Sequence, residues 1–462
     1  MSKVRSRRSA EATKAPGTDK GRAPFVRNED GAQREPRTRA NGAQGTAATN
    51  QRESREKSVG AQISRRAADR IRAGHVWVYA SDVEDLNAGQ GAALLPVADG
   101  RGILLGTALY SPSSQIALRM IAREAVDSAG WLKLLEERLC AAIRRRLPMI
   151  EIEKTQTDSC RLVFSEADQL PGLVADKYGD LVVLQLLTKG LDSAAVRDVC
   201  VRAVRAMLDP AAIFDRPDPR IRELEGLPPA SVEPLFAKQG AKSEAIFSVN
   251  GMHFVFDADA GQKTGAFLDQ RENYAAARAW AERLGTTGRA LDVCTYQGGF
   301  ALHLATVCKR VTGIDASRSS LEVAERNLQL NRARISAEVD WVEGDAFAIL
   351  RDWSDAREQF DTIVLDPPAF AKSKRAVEGA LRGYKELNLR ALRMLRPGGL
   401  LLTCSCSHHV SWSELEGAVS AAAADAQRRV RLRERRGAAE DHPVILNLPE
   451  TEYLKCLVLE VD

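Results

Sequence analysis

A regular alternation of apolar runs and helical segments begins near residue 255, and it constrains the fold of this chain more than any other feature. The apolar runs have the length of strands, and most are followed by a segment whose apolar residues recur at helical spacing. Because neighbouring parallel strands need a crossover that is usually a helix, the pattern predicts an α/β fold, with a largely parallel sheet covered by helices on both faces. The runs are Ala290–Cys294, Val311–Asp315, Val339–Glu343, Asp361–Leu365, Leu400–Ser405 and Tyr453–Val461.

Three further regions precede this α/β domain, which we place at residues 253–462. Residues 1–58 carry 14 Lys or Arg against 7 Asp or Glu and few large apolar residues, so we predict a disordered basic tail. Such a tail either adds non-specific attraction for phosphates or serves as a solubilising extension. Short apolar runs between turn residues predict a small β domain at 59–128, and mixed patterns predict an α+β domain at 129–252.

Composition excludes several classes of protein. No run of about 18 apolar residues occurs and the first residues lack the apolar stretch of a secretory signal, so we expect a cytoplasmic protein without a membrane span. The eight cysteines are scattered, which fits reduced thiols, and no C-x-x-C pair occurs, so no metal is expected. A dimer surface leaves no readable mark in a sequence, and a homodimer therefore stays open.

Acidic residues stand at the ends of four consecutive predicted strands. The first strand contains Asp292 and leads into the loop TYQGG at 295–299, whose glycines let the backbone approach a ligand at a helix N-terminus. Asp315 ends the second strand, where a carboxylate can accept from both ribose hydroxyls of a nucleoside. Asp345 follows the third strand, placed to accept from an adenine amine, and Asp366 follows the fourth. Ligands in such folds bind at the carboxyl ends of the strands, so the acids predict one cofactor site.

This arrangement resembles the class I S-adenosylmethionine-dependent methyltransferases. A dehydrogenase usually carries G-x-G-x-x-G, whereas this chain has Y-Q-G-G with an acid inside the preceding strand. The resemblance implies that S-adenosylmethionine is the cofactor, with its methionine part in the first loop, its ribose on the second acid and its adenine on the third. The predicted cofactor-binding residues are Asp292, Tyr296, Gly298, Gly299, Asp315, Asp345 and Asp366.

The motif Asp366-Pro367-Pro368-Ala369-Phe370 predicts a nitrogenous base as substrate. It resembles the D/N-P-P-aromatic motif of methyltransferases that act on bases. The carboxylate of Asp366 and the carbonyl of Pro367 can accept from a base amine, and Phe370 can stack on the base. The motif alone does not separate ring-carbon methylation from amine methylation.

The segment TCSCSHH at 403–409 favours ring-carbon methylation. C5 of a pyrimidine is a poor nucleophile that a thiolate activates by adding to C6, whereas amine methylation needs no cysteine. Cys404, Cys406 and His408 would share one strand face by its period of two. Cys406 lies nearer the exposed end and is predicted to be the nucleophile, and Cys404 is predicted to be structural. The alternative is that both thiols are small buried hydrophobic side chains.

Residues 60–462 resemble the ribosomal RNA large-subunit methyltransferase I family, which makes 5-methylcytosine in 23S rRNA. Besides the motifs above, the resemblance is carried by GHVWVY at 74–79, LVFSEADQLPGL at 162–173 and QKTGAFLDQR at 262–271. It implies a PUA-like RNA-binding β-barrel, a small α+β domain and a Rossmann-like domain with a seven-stranded, mostly parallel sheet. The partner that it implies is 23S rRNA.

Four residues are candidates for RNA binding: His75, Lys263, Arg271 and Phe370. For Lys263 and Arg271 an inter-domain hydrogen-bond network is an equally good interpretation. Trp77 is predicted to pack in the core of the PUA-like domain. The family commonly has an aromatic residue where Ala266 stands, so stacking at that position is in doubt.

The sequence predicts methyl transfer from S-adenosylmethionine to C5 of a cytosine in 23S rRNA, with Cys406 as nucleophile and Asp366 and Pro367 beside it. One alternative is methylation of an exocyclic amine, guanine N2 or adenine N6. Another is a non-catalytic RNA-binding factor in ribosome assembly.

Overall fold

Four sheets follow one another along the described part of the chain, which in this computed structural model comprises residues 60–89, 93–259, 266–371 and 373–462. The predicted basic tail, residues 1–58, lies outside the described residues. None of the helices in the described ranges combines the length and apolar character that a membrane-spanning segment needs.

A six-stranded, mostly antiparallel sheet comes first, in the order β2-β6-β5-β4-β1-β3. Its core is formed by small and branched apolar side chains such as Ile63, Val78 and Leu118. Trp77 was predicted to join that core, but it is half-buried, and its indole Nε1 donates to Glu166 Oε1 at 2.9 Å. The period of two buries Val78 instead of its neighbour. The elements are β1 (Gly60–Ile63), α1 (Arg65–Arg72), β2 (Trp77–Tyr79), β3 (Val83–Asn87), β4 (Leu94–Asp99), β5 (Leu104–Tyr110) and β6 (Ile116–Ala122).

A five-stranded sheet, in the order β11-β10-β9-β8-β7, forms the next region. Its long helices α2 and α4 pack against it through residues such as Leu135, Leu139 and Val199. The elements are α2 (Ser128–Arg146), α3 (Ile152–Thr155), β7 (Cys160–Phe164), β8 (Leu173–Tyr178), β9 (Leu181–Leu186), α4 (Ala194–Leu208), β10 (Ala212–Asp215), α5 (Pro219–Leu224) and β11 (Phe236–Ala237).

An antiparallel hairpin, β12 (Glu244–Val249) and β13 (Met252–Asp257), joins this region to the last one. Phe256 stacks on Tyr178 with ring centroids 4.2 Å apart, and Phe254 stacks on His303 at 6.2 Å. One apolar core therefore continues from the five-stranded sheet into the C-terminal region.

The C-terminal sheet has seven strands in the order β16-β15-β14-β17-β18-β20-β19. The first five strands are parallel to one another, and β20 runs antiparallel to both of its neighbours, β18 and β19. Its two faces bury separate clusters: Ala290 faces one, and Leu291 and Val293 belong to the other. The predicted α/β fold is confirmed. The elements are α6 (Arg271–Leu284), β14 (Arg289–Val293), α7 (Gly299–Ala305), β15 (Arg310–Asp315), α8 (Arg318–Leu330), β16 (Glu338–Glu343), α9 (Ala346–Asp355), β17 (Phe360–Leu365), α10 (Val377–Met394), β18 (Leu395–Ser405), α11 (Trp412–Asp425), β19 (Val430–Arg436) and β20 (Lys455–Val461).

Strand order reverses at β14, which has β15 on one side and β17 on the other. In parallel α/β sheets this switch point is where the loops diverge and leave a crevice for a ligand. The loops that follow β14, β15, β16, β17 and β18 all leave the same edge of the sheet. The acids predicted to form a cofactor site therefore lie in these loops or at the strand ends beside them.

Candidate functional site

Asp292, at the end of β14, is fully buried and holds the loop that follows it. Its Oδ2 accepts from Thr295 Oγ1 at 2.5 Å and from the backbone N–H of Ala301 in α7 at 2.9 Å. Its Oδ1 is buried without a hydrogen-bond partner among the described residues. Burial raises the pKa of Asp292 to about 7, against the lowering effect of those two hydrogen bonds. The site thus contains an unsatisfied buried acceptor.

The loop after β14 has left-handed backbone at three positions, Cys294, Tyr296 and Gly298, with φ angles of 63°, 51° and 88°. Only Gly298 adopts this conformation without steric cost, so the two other residues store strain of a kind that concentrates at ligand sites. The Tyr296 ring meets Phe267 edge-on, with centroids 5.0 Å apart. The loop ends where α7 begins at Gly299, which directs backbone N–H groups of the helix toward the crevice.

Asp315 is the last residue of β15 and Asp345 follows β16 by two residues; both carboxylates accept hydrogen bonds from backbone N–H groups. The Oδ2 of Asp315 accepts from the N–H of Tyr296 at 2.9 Å, and its Oδ1 accepts from the N–H of Ser317 at 2.8 Å. Asp345 is exposed and is the N-cap of α9, where its Oδ1 accepts from the N–H of Ala348 at 2.9 Å. A carboxylate has about four acceptor sites, so both acids retain capacity for a ligand.

A cavity lies beside the first loop. Aromatic side chains form much of its wall, and Asp366 lies among the lining residues. The lining includes Phe254, Phe267, Tyr274, Cys294, Tyr296 and Asp366.

Asp366 follows β17 and is held by a residue that the sequence did not single out. Gln270 Nε2 donates to Asp366 Oδ1 at 2.9 Å, and Asn273 Nδ2 donates to Gln270 Oε1 at 2.6 Å. Burial, with added repulsion from Asp269 and Asp292, raises the pKa of Asp366 to about 8. This carboxyl group therefore keeps its proton at neutral pH.

Cys406 lies immediately after the end of β18 and beside the Asp-Pro-Pro loop. Its Sγ is 3.9 Å from the carbonyl oxygen of Pro367, and the residue is half-buried. Cys404 is fully buried opposite Cys456 of β20. The prediction that strand alternation extends through His408 is wrong, because β18 ends at Ser405. The chain turns there, and Cys406 departs from the strand pattern that buries Cys404.

A hydroxyl cluster fixes the two residues that flank Cys406. Tyr384 Oη in α10 lies 3.0 Å from Ser407 Oγ and accepts from Ser405 Oγ at 2.8 Å. Ser407 Oγ also accepts from the N–H of Ala371 at 3.2 Å. The thiol is therefore held between strand β18, helix α10 and the Asp-Pro-Pro loop.

Of the predicted RNA-binding residues that the structure describes, Arg271 is buried, and His75 and Phe370 are half-buried. Phe370 is half-buried, with its ring 4.9 Å from Tyr384 and 5.9 Å from Phe347. Arg271 is buried, and its Nη2 is 3.4 Å from Asp441 Oδ1. This contact fits the second interpretation of Arg271, a network between domains. His75 Nε2 lies 3.3 Å from Glu450 Oε1. Lys263 lies outside the described residues.

Sequence reasoning missed Gln270, Tyr274, Tyr384 and Lys455. Gln270 stands in the QKTGAFLDQR stretch, which drew attention to its neighbours but not to it. Lys455 carried a local signal, since it is a cation at the start of a largely apolar terminal strand. Tyr274 and Tyr384 occupy ordinary helical positions, and only the packing of α6 and α10 shows where their side chains lie.

Comparison with protein families gives two matches. A profile for a PUA-like domain matches residues 61–123, and a profile for an S-adenosylmethionine-dependent methyltransferase matches residues 231–435.

Two curated relatives are similar to this chain over most of its length, and both are named Ribosomal RNA large subunit methyltransferase I. The protein of Klebsiella pneumoniae strain 342 is 36% identical over 388 residues, which are 82% of this chain and 93% of the relative. The protein of Cronobacter sakazakii is 37% identical over 387 residues, which are 82% of this chain and 94% of the relative.

Solved structures share the fold. The crystal structure of SMU.776, a methyltransferase candidate complexed with SAH, has a TM-score of 0.73 at 18% sequence identity and covers 87% of this chain and 100% of that chain. A SAM-dependent methyltransferase candidate from Streptococcus mutans has a TM-score of 0.72 at the same identity. At that identity the likeness concerns the fold alone.

Proposed function

Because the chain belongs to the ribosomal RNA large subunit methyltransferase I family, we propose that it transfers a methyl group to C5 of a cytosine in 23S rRNA, with Cys406 as covalent nucleophile. The chain is an S-adenosylmethionine-dependent methyltransferase, as expected from its strand-end acids. The observation that carries the finer proposal is the position of the Cys406 thiol, half-buried against the Pro367 carbonyl in the Asp-Pro-Pro loop.

The site suits S-adenosylmethionine, which supplies an electrophilic methyl group when bound. The unpartnered Asp292 Oδ1 is a buried acceptor with a raised pKa, and a cationic amino group would satisfy it. Asp315 keeps acceptor sites for ribose hydroxyls and Asp345 for an adenine amine. Tyr296, Gly298 and Gly299 complete the cofactor-binding set proposed here.

Cys406 acts on the base in this proposal. Its sulfur forms a bond to C6, and the electron pair of the C5–C6 double bond makes C5 nucleophilic. After methylation a base removes the C5 proton, the double bond re-forms and the thiolate leaves. The Pro367 carbonyl, 3.9 Å from Sγ, orients the thiol toward the Asp-Pro-Pro loop.

Asp366 supports the same chemistry through its proton. With a pKa raised by burial to about 8, its carboxyl group can donate a hydrogen bond to N3 of cytosine while Gln270 holds its other side. Donation to N3 draws electron density from the ring and favours addition at C6. Phe370 lies on the same loop, and we propose that its exposed part contacts the base.

The proposed substrate, 23S rRNA, rests on the names of the relatives and on the PUA-like match at residues 61–123. The homodimer that the sequence leaves open gains no support from the comparisons. His75 and Arg271 contact other parts of this chain, so a role in RNA binding for them requires those contacts to open.

Trapping with 5-fluorocytosine RNA tests the nucleophile. Fluorine at C5 cannot leave as a proton would, so the covalent adduct accumulates. We expect the wild-type protein with S-adenosylmethionine to give an adduct that survives denaturing electrophoresis, and Cys406→Ala to give none. Peptide mass spectrometry should place the RNA on Cys406.

Cys404→Ala is the matched control, since it removes a thiol that lies two residues before Cys406, inside β18; it should keep adduct formation. Methylation of a guanine or adenine amine by Cys406→Ala would instead favour amine chemistry, for which the Asp-Pro-Pro-x-Phe motif is equally suited. Nucleoside mass spectrometry of the RNA product separates the two.

A further inference from the structure

Lys455 is a buried cation next to the proposed nucleophile. It begins β20 and pairs in register with Ser405, the last residue of β18, so it faces the turn that carries Cys406. The residue is 3% exposed. Its Nζ donates to the carbonyl of Ser407 at 3.4 Å and to that of Tyr453 at 3.1 Å.

No carboxylate forms an ion pair with Lys455 among the described residues. Two acids that act on its charge are engaged elsewhere: Glu452 accepts from the Trp412 indole at 2.9 Å, and Glu414 belongs to the capping box of α11. A buried ammonium group without an anionic partner is destabilising, because carbonyl dipoles replace only part of its hydration. The protein therefore carries a desolvated positive charge that its own carboxylates do not neutralise.

Besides these two acids, the thiolate of Cys406 is an anion that acts on this charge. Burial lowers the pKa of Lys455, while charges on Glu452, Cys406 and Glu414 act to raise it, so Lys455 and Cys406 are electrostatically linked. Burial raises the pKa of Tyr384, and a charge on Cys406 raises it further. His408, beside the turn, has a pKa lowered by burial, by His409 and by Lys455.

We propose that Lys455 is a positioning residue for the Cys406 thiolate: its ammonium group is the fixed counter-charge that favours ionisation of the thiol, and its hydrogen bond to Ser407 fixes the turn. A nearby cation favours the thiolate form. The purpose of this arrangement rests on the proposed function, since a cysteine that attacks C6 must be a thiolate.

The test measures Cys406 ionisation directly, without RNA or cofactor. The rate of carboxamidomethylation of Cys406 by iodoacetamide is followed from pH 7 to 10 by peptide mass spectrometry, which separates it from the seven other cysteines. In this window His408 is neutral and Tyr384 protonated, whereas Asp366 loses its proton with a pKa of about 8. Because every variant keeps Asp366, the difference in midpoint between variants reports the charge at position 455. We expect Lys455→Gln, which keeps a donor for Ser407 but removes the charge, to lower the rate at pH 7 about tenfold and to raise the midpoint by about one pH unit.

Lys455→Arg keeps the charge and should retain a midpoint close to that of the wild type. Lys385→Met removes a lysine that pairs with Asp425 at 2.7 Å on the surface, and it should leave the midpoint unchanged. If Lys455→Gln does not fold, Lys455→Met, which buries an apolar chain of similar length, should show the same rise.

A wild-type midpoint in the folded Gln or Met variant would overturn the role of Lys455, while adduct formation with 5-fluorocytosine RNA would leave the proposed function standing. If the Lys455 variant shows a raised midpoint but the wild-type protein forms no RNA adduct, Lys455 acts as the counter-charge and the proposed methylation at C5 of cytosine is contradicted. The two failures are therefore distinguishable.

Discussion

Asp292, which is fully buried, and Asp366, which is half-buried, lie at the ends of the neighbouring strands β14 and β17. The fold shifts the pKa values of both acids in the same direction. Burial raises the pKa of Asp292 to about 7 and that of Asp366 to about 8, and the charge on Asp292 adds to the second shift. Two interacting carboxyl groups titrate as a pair, and near neutral pH the ligand-free site holds protons that exposed carboxylates would have lost. A cationic ligand beside Asp292 would relieve this cost.

Asp292→Asn should make the ligand-free protein relatively more stable as the pH rises. The folded-state pKa of Asp292 lies above the unfolded value, so its ionisation lowers wild-type stability between about pH 4 and 7. The difference in free energy of unfolding between the variant and the wild type should therefore rise by about 3 kcal/mol from pH 5 to pH 8, in favour of the variant. The asparagine carbonyl can still accept from Thr295 and Ala301. Urea titrations at both pH values measure the difference.

Asp340→Asn is the matched control, because Asp340 is an exposed acid paired with Arg310 at 3.6 Å. Its stability difference from wild type should not vary over this range. The same Asp292→Asn protein should bind S-adenosylmethionine more weakly in calorimetry. A flat pH dependence with unchanged affinity would contradict the role given to Asp292.

At the scale of elements, the close packing of β14, β15 and β16 fixes the first loop of the site. Gly313 of β15 pairs with Asp292 of β14 and with Trp341 of β16. A Cβ at Gly313 would lie 2.5 Å from the Trp341 ring and 3.0 Å from Thr295 Cγ2. The indole is anchored by its Nε1, which donates to Glu325 at 3.0 Å. Glycine at this position lets the strands bring Thr295 within reach of Asp292.

Gly313→Ala should lower the free energy of unfolding by about 1–3 kcal/mol, because the added methyl overpacks a rigid neighbourhood. It should also weaken S-adenosylmethionine binding, since Thr295 must move away from Asp292. Gly417→Ala is the matched control: its Cβ meets nothing within 4 Å on α11, and alanine should stabilise that helix by about 0.5–1 kcal/mol. Thermal unfolding and calorimetry measure both, and equal effects of the two substitutions would refute the packing argument.

At the scale of the whole molecule, Asp441 joins the central region to the C-terminal domain. Its Oδ2 accepts from the N–H of Arg161 in β7 at 2.8 Å, and its Oδ1 lies 3.4 Å from Arg271 Nη2 in α6. Its carbonyl accepts from Arg146 of α2 at 3.1 Å. The neighbouring His442 and Arg271 lower the pKa of Asp441 despite its burial. Three elements distant in sequence therefore depend on one residue, two of them through its carboxylate and one through its backbone carbonyl.

Asp441→Asn should destabilise the protein by about 3–5 kcal/mol at pH 7, because it removes the buried counter-charge of Arg271 and leaves only the exposed Glu272, 3.6 Å away. The depressed folded-state pKa means that Asp441 stabilises the fold above about pH 4, and that this contribution is lost as the pH falls through the folded value. The variant should therefore show a shallower loss of stability in acid. Denaturant unfolding at pH 7 and below pH 4 measures both effects.

Asp259→Asn is the control for a surface pair, since Asp259 lies 3.2 Å from Arg216 and is 62% exposed. It should change stability by less than about 1 kcal/mol. If the two substitutions lower the free energy of unfolding equally, Asp441 does not join the central region to the C-terminal domain as argued above.

Local patterns were sufficient to predict the C-terminal fold and its cofactor. The hydrophobic period of β14, β15 and β17 is visible in the residues themselves, and strand-end acids must lie at one edge of a parallel sheet. The same reasoning failed where the pattern was weak: β19 reads VRLRERR, and arginines that pair with acids such as Glu460 and Glu416 conceal its strand character. It also failed after Ser405, where β18 ends, because the strand alternation was extended to His408.

The sequence alone determined which acids lie at the ends of β14, β15, β16 and β17, because period and connectivity are written in neighbouring positions. It did not determine what faces those ends. Gln270 meets Asp366 across 96 residues, and Arg271 meets Asp441 across an even longer separation. Lys455 reaches the turn of Cys406 through the pairing of β20 with β18. Such contacts follow from the packing of whole elements against one another, so only the tertiary structure decided which charges and donors surround the site.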